Sequence, residues 1–384
     1  MRALGSLLPR GQVLRATATP LASILGSGLL IIAPVLERTL GAAAVLGAVG
    51  ISALAWLVGS AIRHNVVTVE PLTGRRQLDA GTARLERISD RVIVVAYVIS
   101  VALYLRIMAQ YVLGYITPQG HSVLERAIAI GALVVIAAVG ITRGFDGLDW
   151  LDRLSLVTVL VLTTVLGGAL VLHDSTTFAA DGALALPPIP ASHIMTTLLV
   201  LGGVVITVQG FETIRYLGDV FDAPTRIQAS RVAQLVAASI YVGFVAAATP
   251  AMGLGTPAGA DRTLLDITGR IAPILTLPLA LSAVLSQFSA AIADTEAAVG
   301  NLRGLSAWMK GGRPYVLGGV AAAALVATTP TYTIVAVASR AFAAYYALQS
   351  VVALRTCHGA PRKLGYGALT VVMVLIALFA LPAG

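Results

Sequence analysis

The chain has 384 residues, of which 57% are hydrophobic and only 11% are charged, and its formal net charge is +8. Soluble domains carry about 25% charged residues, so this composition excludes an ordinary soluble protein and predicts an integral membrane protein. The single cysteine, Cys357, excludes an internal disulfide and a CxxC metal site. We therefore expect one transmembrane domain over residues 1–384.

Apolar runs bounded by charged residues predict about eleven membrane-spanning helices, because a helix needs roughly 20 apolar residues to cross a bilayer. In chain order they lie near residues 21–36, 42–62, 92–116, 127–141, 154–172, 194–220, 232–252, 271–298, 315–328, 334–354 and 364–381. The longest connection, 63–91, has mixed charges and is expected to be an amphipathic surface segment or a solvated connector. The connection 173–192 is proline-rich and is expected to be extended.

Lysine and arginine residues are distributed unevenly between the two sides that these spans define. With the N-terminus inside, nineteen of the 26 lie on inner segments and four on outer segments. Because positive residues concentrate on the cytoplasmic side, we expect a cytoplasmic N-terminus and, after eleven spans, a C-terminus outside. The basic character is thus a topology signal, and the sequence has no basic soluble face of the kind that binds nucleic acid.

Two of the predicted spans are interrupted by glycine and polar residues at their middle. They are SILGSGLLIIAPVL at 23–36 and VVITVQGFETIRYLGDV at 204–220. Glycine weakens a helix and a carboxylate is costly at membrane depth, so both features need a reason. The interruptions occupy corresponding places when spans one to five are compared with spans six to ten. Such a pair indicates a substrate site between the inverted repeats of a secondary transporter.

The repeat interpretation divides the chain into a first unit at about 15–173, a second at about 193–355 and an additional helix at about 364–382. A unit with an odd number of spans inverts its second copy across the membrane. Each interruption frees amides at one half-helix, which suit a carboxylate, and carbonyls at the other, which suit an ammonium group or Na+. An α-amino acid satisfies both ends and is favoured over sugars and simple anions.

The two interrupted segments also resemble those of a known family. GSGLLIIAP is similar to the first-helix glycine break and following proline of the amino acid–polyamine–organocation (APC) transporter superfamily. QGFETIRYLGDVFDAPTR is similar to the family's Gly-Phe-Glu and its later acidic-x-Pro-x-Arg turn, with Asp222 where asparagine is more usual. The resemblance implies an all-α membrane fold with two inverted five-helix repeats, discontinuous first and sixth helices, and one extra C-terminal helix, whereas relatives commonly have twelve spans.

The resemblance implies a substrate-binding site formed by the first, third and sixth spans. Its residues would be Ile24, Leu25, Gly26, Ser27, Gly28, Tyr104, Gln209, Gly210 and Phe211. The amides of Ser27 and Gly28 would hold a carboxylate, while carbonyls of the first span and of Gln209 would face an amino group. Phe211 would be a gate or a neighbour of the substrate side chain. For the first-span glycines, close packing of helices through small residues is the alternative.

Glu212 would be the coupling or gating carboxylate of this site. Arg215 lies three residues later on the same helical face, so the alternative is a structural pair whose charges neutralise each other. Tyr104 shares a helical face with Tyr97 and Ser100 and would offer its hydroxyl to the substrate, unless it fills a helix interface. The site shows no obvious acid beyond Glu212, which favours a neutral amino acid over a polyamine.

The coupling ion is left open between H+, Na+ and ion-independent exchange. Candidates for a sodium site are Ser282, Ser286 and Ser289 of the eighth span, which could equally pack helices. Arg106 and Arg340 lie within spans and need partners or an aqueous cavity. No cofactor or other metal site is indicated, and the expected partners are a small-molecule substrate and membrane lipids. The sequence does not indicate an oligomeric state.

A membrane enzyme is the alternative from a different class. Asp294 and Glu296, near the inner end of the eighth span, could be paired carboxylates for acid–base chemistry. We interpret them instead as half of an intracellular gate or as a solvated helix end, opposite Arg15. All five histidines lie in loops or at span ends and no HExxH motif occurs, so we expect no enzyme. An exporter of an amino-acid-like metabolite and a sensor without flux are the remaining alternatives.

Overall fold

The computed structural model of the protein describes residues 11–75, 77–116, 122–144, 149–252, 263–305 and 308–382. Within these ranges the chain is helical and has no strand. The α-helices are α1 (Gly11–Leu40), α2 (Ala44–Thr68), α3 (Glu70–Gly74), α4 (Ala80–Ile116), α5 (Ser122–Thr142), α6 (Asp149–Asp181), α7 (Ile194–Gly202), α8 (Ala223–Met252), α9 (Thr263–Ile271), α10 (Thr276–Leu305), α11 (Arg313–Thr328), α12 (Thr331–Thr356) and α13 (Ala360–Phe379). Short 3-10 helices cover Gly41–Ala43, Val205–Val208, Phe211–Leu217 and Pro273–Leu275. The all-α architecture predicted from the sequence is confirmed.

Eight of the described helical segments are long and apolar enough to cross a membrane, and α11 is a shorter apolar helix. Each predicted span contains a helix, although the sixth is divided between α7 and two 3-10 helices. The count of eleven crossings stays a prediction. Helices α5, α6 and α13 leave most of their apolar surface exposed, as expected of helices that face lipid.

The centre of the bundle is α4, which packs mainly against α10 and α12, while α1 packs mainly against α8. With 37 residues, α4 is about 55 Å long. Its middle turns are buried on every side, from Ile99 to Tyr111. A helix that is apolar all round is stable only inside such a bundle, so α4 forms the wall against which the other elements of the site are placed.

The segment 63–91 differs from the expected surface connector. Its second half is not a connector, because α4 begins at Ala80 and includes the charged residues up to Arg91. Glu86 and Ser89 are buried against α12, where Gln349 donates hydrogen bonds to both side chains (3.1 and 2.8 Å). These polar partners explain how a charged sequence joins a buried helix. The proline-rich connection is extended only after α6 ends at Asp181.

The two interrupted spans have different structures. The first is one continuous helix, because α1 runs from Gly11 to Leu40 through the Gly-Ser-Gly segment. The predicted discontinuity of the first helix is therefore wrong in this structure. The sixth span is interrupted as predicted: α7 ends at Gly202, and Gln209 and Gly210 lie between two 3-10 helices. We call residues 203–210 the sixth-span break.

Candidate functional site

Side chains from other helices satisfy the backbone of the sixth-span break. Ser339 of α12 donates to the carbonyl of Gly203 (2.9 Å) and accepts from the amide of Ile206 (3.0 Å). Tyr241 of α8 donates to the carbonyl of Thr207 (2.9 Å). Each of these residues is buried, and an unpaired backbone group at this depth would cost several kcal/mol. The break is therefore a built feature of the bundle.

Two glycines allow α1 and the break to cross at very short range. A Cβ atom on Gly28 would lie 1.8 Å from the carbonyl oxygen of Thr207, so only glycine fits. Gly210 has a φ of +120°, and a Cβ atom there would lie 2.6 Å from the hydroxyl of Ser23 and 2.7 Å from the amide nitrogen of Ile24. The glycine in α1 serves close approach, and the glycine in the break also serves backbone geometry.

The backbone of α1 does not present the carboxylate cradle that the sequence suggested. Ser27 and Gly28 lie inside a continuous helix, so their amides are not the free amides of a half-helix. The side chain of Ser27 is outside the described part of the structure. Two nearby carbonyls are engaged by side chains: Ile24 accepts from Tyr241, and Gly26 accepts from Gln287 of α10. The alternative interpretation of these glycines, close helix packing, describes α1 better.

The sodium candidates lie beside the same stretch of α1. Ser282, Ser286 and Leu25 line one small cavity between α1, α6, α8 and α10, and Ser289 is buried on the same helix as the other two serines. The Gly26 carbonyl, which would be a natural cation ligand here, instead accepts from the Gln287 amide. The structure thus brings the predicted residues together without showing an ion site formed by them.

Glu212 is fully buried, with 0% of its surface exposed, at the start of the 3-10 helix Phe211–Leu217. One carboxyl oxygen, Oε2, accepts from the amide of Gly210 (2.9 Å) and from the hydroxyl of Tyr346 (2.9 Å). The other oxygen, Oε1, has no hydrogen-bond partner among the described residues. A buried carboxylate acceptor without a donor is costly, so this oxygen marks a position where a ligand or a proton would be stabilised.

Arg215 does not neutralise Glu212. Its guanidinium forms an ion pair with Glu86 of α4 (2.6 Å), accompanied by the Tyr345 hydroxyl (3.4 Å) and by Glu70 at 4.0 Å. Although the two residues are three apart in sequence, the 3-10 geometry directs them to different neighbours. The structural-pair alternative is therefore wrong, and Glu212 is left with neutral partners.

Tyr104 and Gln209 connect the third span to the break. The Gln209 amide donates to the Tyr104 hydroxyl (2.6 Å), and its own oxygen, Oε1, has no partner among the described residues. Phe211 stacks on Tyr346 with ring centroids 5.4 Å apart, and both rings are buried. The structure thus brings together the predicted residues Tyr104, Gln209, Gly210, Phe211 and Glu212. All of them are enclosed by protein.

Asp294 belongs to this cluster, which the sequence interpretation missed. It is 4% exposed and accepts a hydrogen bond from Ser100 of α4. It is not a solvated helix end, because it is buried and α10 continues to Leu305; its part in an inner gate stays a prediction. Glu296, two residues later, is exposed. The available signal was that Asp294 lies four and eight residues after Ala290 and Ser286, on the helical face that meets α1.

A second group of charges closes one end of the bundle beside Glu212. Arg226 of α8 holds both oxygens of Glu70 (2.7 and 3.3 Å) and donates to the carbonyl of Ile214 (3.0 Å). With Arg215 and Glu86 this forms what we call the ion-pair cluster (Glu70, Glu86, Arg215 and Arg226). It links α3, α4, α8 and the 3-10 helix after the break. Sequence reasoning did not predict it, because its members are far apart along the chain.

The intramembrane arginines have partners in the structure. Arg106 donates to the carbonyl of Val326 (3.3 Å), and Arg340 donates to the carbonyl of Ala380 at the end of α13 (2.9 Å). The following residue, Leu381, donates its amide to the carbonyl of Leu199 in α7 (2.9 Å). Arg340 therefore links the end of α13 to α12, and the Leu381 amide links it to α7.

Comparisons with known proteins agree with this architecture. A family model described as an APC superfamily transporter matches residues 7–380. An uncharacterized protein of Aquifex aeolicus (strain VF5) is 32% identical over 98% of this chain and 93% of its own length. The crystal structure of the Eremococcus coleocola manganese transporter, in complex with an aromatic bis-isothiourea substituted compound, has a TM-score of 0.56 and 12% identity. That alignment covers 97% of this chain and 88% of that chain, and at this identity it shows the fold alone. The protein is thus a multi-pass membrane protein with a transporter fold. Its family and fold point to a transporter rather than an enzyme. The chain belongs to the APC superfamily of transporters.

Proposed function

We propose that the protein is a secondary transporter that moves an amino acid, or a closely related small amino compound, across the cytoplasmic membrane by alternating access. The observation that carries this proposal is the sixth-span break, with Glu212 buried beside it and pressed against α1. Membrane-embedded helices tolerate such irregular backbone only where it is enclosed by protein or lines a cavity. The proposal assigns the binding residues Tyr104, Gln209 and Phe211 to substrate contact and Glu212 to coupling.

The ion-pair cluster is the gate of this mechanism. It joins the 3-10 helix that carries Glu212 to α3, α4 and α8, so these elements cannot separate while Arg226 holds Glu70 and Arg215 holds Glu86. The topology predicted from the distribution of Lys and Arg places this cluster on the cytoplasmic side, with the N-terminus inside and the C-terminus outside. Under this proposal, the state in which both ion pairs are formed is closed toward the cytoplasm. Breaking the two ion pairs opens the path from Glu212 to the cytoplasm.

The proposed substrate class, an amino compound and not a metal ion, rests on the chemistry of the site. The Eremococcus coleocola relative in fold is a manganese transporter. In the described part of this chain, no group of three or more His, Cys, Asp or Glu side chains could hold a metal ion together. The buried cluster instead consists of carboxyl, amide and phenol groups with neighbouring aromatic rings, which suit an ammonium group. Export in place of uptake, and a sensor without flux, are the alternatives that a transport measurement separates.

Uptake into proteoliposomes tests the proposal. Purified protein is reconstituted, and accumulation of labelled amino acids is followed with an inward proton gradient, an inward sodium gradient or neither. We expect saturable uptake of at least one amino acid. In the Glu212→Gln variant we expect uptake to be abolished or to become independent of the proton gradient. Glu296→Gln, which changes an exposed carboxyl on α10, is the matched control and should transport normally.

The outcomes separate the alternatives. Unchanged uptake by Glu212→Gln across the pH range would reject the coupling role of Glu212 while leaving transport in place. Saturable efflux without uptake would establish an exporter. No flux of any tested compound in either direction, from protein that remains folded, would contradict the transporter proposal itself.

A further inference from the structure

The buried site contains two carboxyl groups, and they come from different parts of the chain. Glu212 lies next to the sixth-span break, and Asp294 lies in the middle of α10. Tyr104 lies one turn of α4 after Ser100, and Gly210, which follows Gln209 in the chain, donates its amide to Glu212. Gln209 donates to the Tyr104 hydroxyl and Ser100 donates to Asp294. The carboxyls thus belong to one hydrogen-bonded cluster.

In the part of the chain that the structure describes, no cationic side chain forms an ion pair with either carboxyl. The ion pairs between described residues are Arg215 with Glu70 and Glu86, Arg226 with Glu70, and Arg355 with Asp79; none includes Glu212 or Asp294. Their hydrogen-bond donors are neutral hydroxyl and amide groups. Burying a charged group without a partner of opposite charge is strongly unfavourable. The two carboxyls therefore require positive charge from outside the protein, either as protons or as a cationic ligand.

The unsatisfied polar atoms of the cluster are also electron-rich: they are oxygens that accept hydrogen bonds. Glu212 Oε1 and Gln209 Oε1 are buried acceptors to which none of the described residues donates, and both residues have no exposed surface. Gln209 is oriented by its bond to Tyr104, which holds its free oxygen within the cluster. A ligand that satisfies these atoms must bring N–H or O–H donors, and a cation brings the strongest ones.

Helix α1 does not offer free amides that could bind the carboxylate of a substrate. The amides of Ser27 and Gly28 lie inside a continuous helix, and the nearby carbonyls of Ile24 and Gly26 accept from side chains. The preference for a neutral amino acid depended on the absence of a second acid near Glu212. Asp294 supplies that acid, and this changes the charge that the site requires.

We infer that Asp294 and Glu212 form a two-carboxyl site that selects a substrate with net positive charge, a cationic amino acid or a diamine. The inference deepens the proposed function and rests on it, because it names the charge class of the cargo. An ammonium group between the carboxyls donates its hydrogen bonds to Glu212 Oε1, Asp294 and the Gln209 oxygen. Hydrogen bonds to charged groups contribute about 1.5–3 kcal/mol, which corresponds to a preference of roughly tenfold or more over a neutral analogue.

Three related compounds test the charge requirement on the detergent-solubilised protein. Lysine differs from norleucine by one ammonium group, and cadaverine is lysine without its carboxylate. Binding is measured as thermal stabilisation and by calorimetry, beside a scan of the standard amino acids and short diamines. We expect net-positive compounds to be the tightest ligands, lysine to bind at least about tenfold more tightly than norleucine, and cadaverine to bind no worse than lysine. A best ligand of zero or negative net charge would overturn the inference.

Variants of Asp294 and of residues near it test whether Asp294 causes the preference for lysine. Asp294→Asn should reduce the lysine-to-norleucine ratio toward one, whereas Asp294→Glu should retain it because the carboxyl is kept. Glu296→Gln on the same helix should leave the ratio unchanged. If Asp294→Asn does not fold, Ser100→Ala removes the hydrogen bond to Asp294 together with a bond to the Tyr97 carbonyl within α4, and it should weaken lysine binding without affecting norleucine. Equal ratios in wild type and Asp294→Asn would reject the role of Asp294. Failure of the proposed function looks different, since no flux would then be found for any compound.

Discussion

The first and the sixth spans make an instructive comparison, because similar sequence signals produce different backbones. Both have glycine and polar residues at the middle of an apolar run. In α1 the helix continues through Gly26 and Gly28. In the sixth span the helix ends at Gly202, and the chain passes through an extended Gln209 and a Gly210 with positive φ before it resumes.

The difference shows that a mid-span glycine has two separate uses. Gly28 leaves room for the carbonyl of Thr207, so that the break can lie directly on α1. Gly210 adopts a backbone conformation that other residues rarely adopt. Helix α1 is continuous, and the sixth span is interrupted at the place where it packs against α1. The following predictions test that division of roles, beginning with the largest expected effect.

Replacing Gly28 by alanine should have the largest effect on stability. The added Cβ atom would overlap the Thr207 carbonyl at 1.8 Å and the Tyr241 hydroxyl at 2.6 Å, and the first of these is backbone that cannot move alone. We expect a loss of about 3 kcal/mol or more, seen as loss of monodisperse protein and a much lower melting temperature in detergent.

Gly26→Ala is the matched control for this variant. Its Cβ atom would meet the Ser286 carbonyl at 3.6 Å and the Ala290 side chain at 3.8 Å, which are ordinary contacts. Alanine also favours the helical state by roughly 0.5–1 kcal/mol over glycine. We expect unchanged or slightly higher stability and retained transport. Loss of transport in a stable Gly26→Ala protein would show that α1 opens at this point during the cycle.

Gly210→Ala should be the second most destabilising change, because it tests the backbone geometry of the break. At a φ of +120° an alanine is strained, and its Cβ atom would also approach Ser23 and Ile24. We expect a loss of up to about 3 kcal/mol in stability together with loss of uptake. Gly218→Ala, in the same segment but at a φ of −64° and with its nearest neighbour 3.7 Å away, is the control. Equal melting temperatures for the two variants would contradict the strain argument.

Much of the fold could be predicted from the sequence, since apolar length alone locates helices. Every predicted span contains one, and the interruption of the sixth span was visible as Gln-Gly-Phe-Glu. The continuity of α1 was not visible, because a glycine that weakens a helix and a glycine that admits a neighbouring carbonyl look the same in one dimension. The start of α4 at Ala80 could not be predicted either, because a charged sequence looks the same whether it is solvated or buried against partners. Its charged residues find buried partners only after α12 is in place.

The site was predicted in part. Tyr104, Gln209, Phe211 and Glu212 come together because they lie on spans that the repeat pattern places side by side. Asp294 was placed near the inner end of the eighth span because that span was predicted to end at residue 298, whereas α10 continues to Leu305. The partners of Arg215 could not be predicted from its helical neighbours either. In a 3-10 helix, residue spacing does not select the same face as in an α-helix.

Ser339→Ala tests how the break is stabilised from outside, with a smaller expected effect. The change removes the hydroxyl that donates to Gly203 and accepts from Ile206, leaving two buried backbone groups without partners. We expect a loss of about 1–2 kcal/mol, measured as a shift of the melting temperature. Ser239→Ala removes an exposed hydroxyl that bonds only within its own helix and should have no measurable effect. An equal shift in both would mean that the break does not depend on α12.

Gln287→Leu should have the smallest effect, because α1 is an intact helix. The side-chain amide of Gln287 donates to the Gly26 carbonyl. The side-chain oxygen of Gln287 is a buried acceptor without a partner among the described residues. Leucine removes the donor to Gly26 and a weaker bond to Ser286 (3.3 Å), but it also removes the unsatisfied oxygen, and the Gly26 carbonyl lies within a continuous helix; we therefore expect a change below about 1 kcal/mol. Melting temperature and uptake with sodium or choline measure it. A loss as large as that of Ser339→Ala would show that α1, like the sixth span, depends on a side chain to complete its backbone. Such a result would remove the distinction between the two helices.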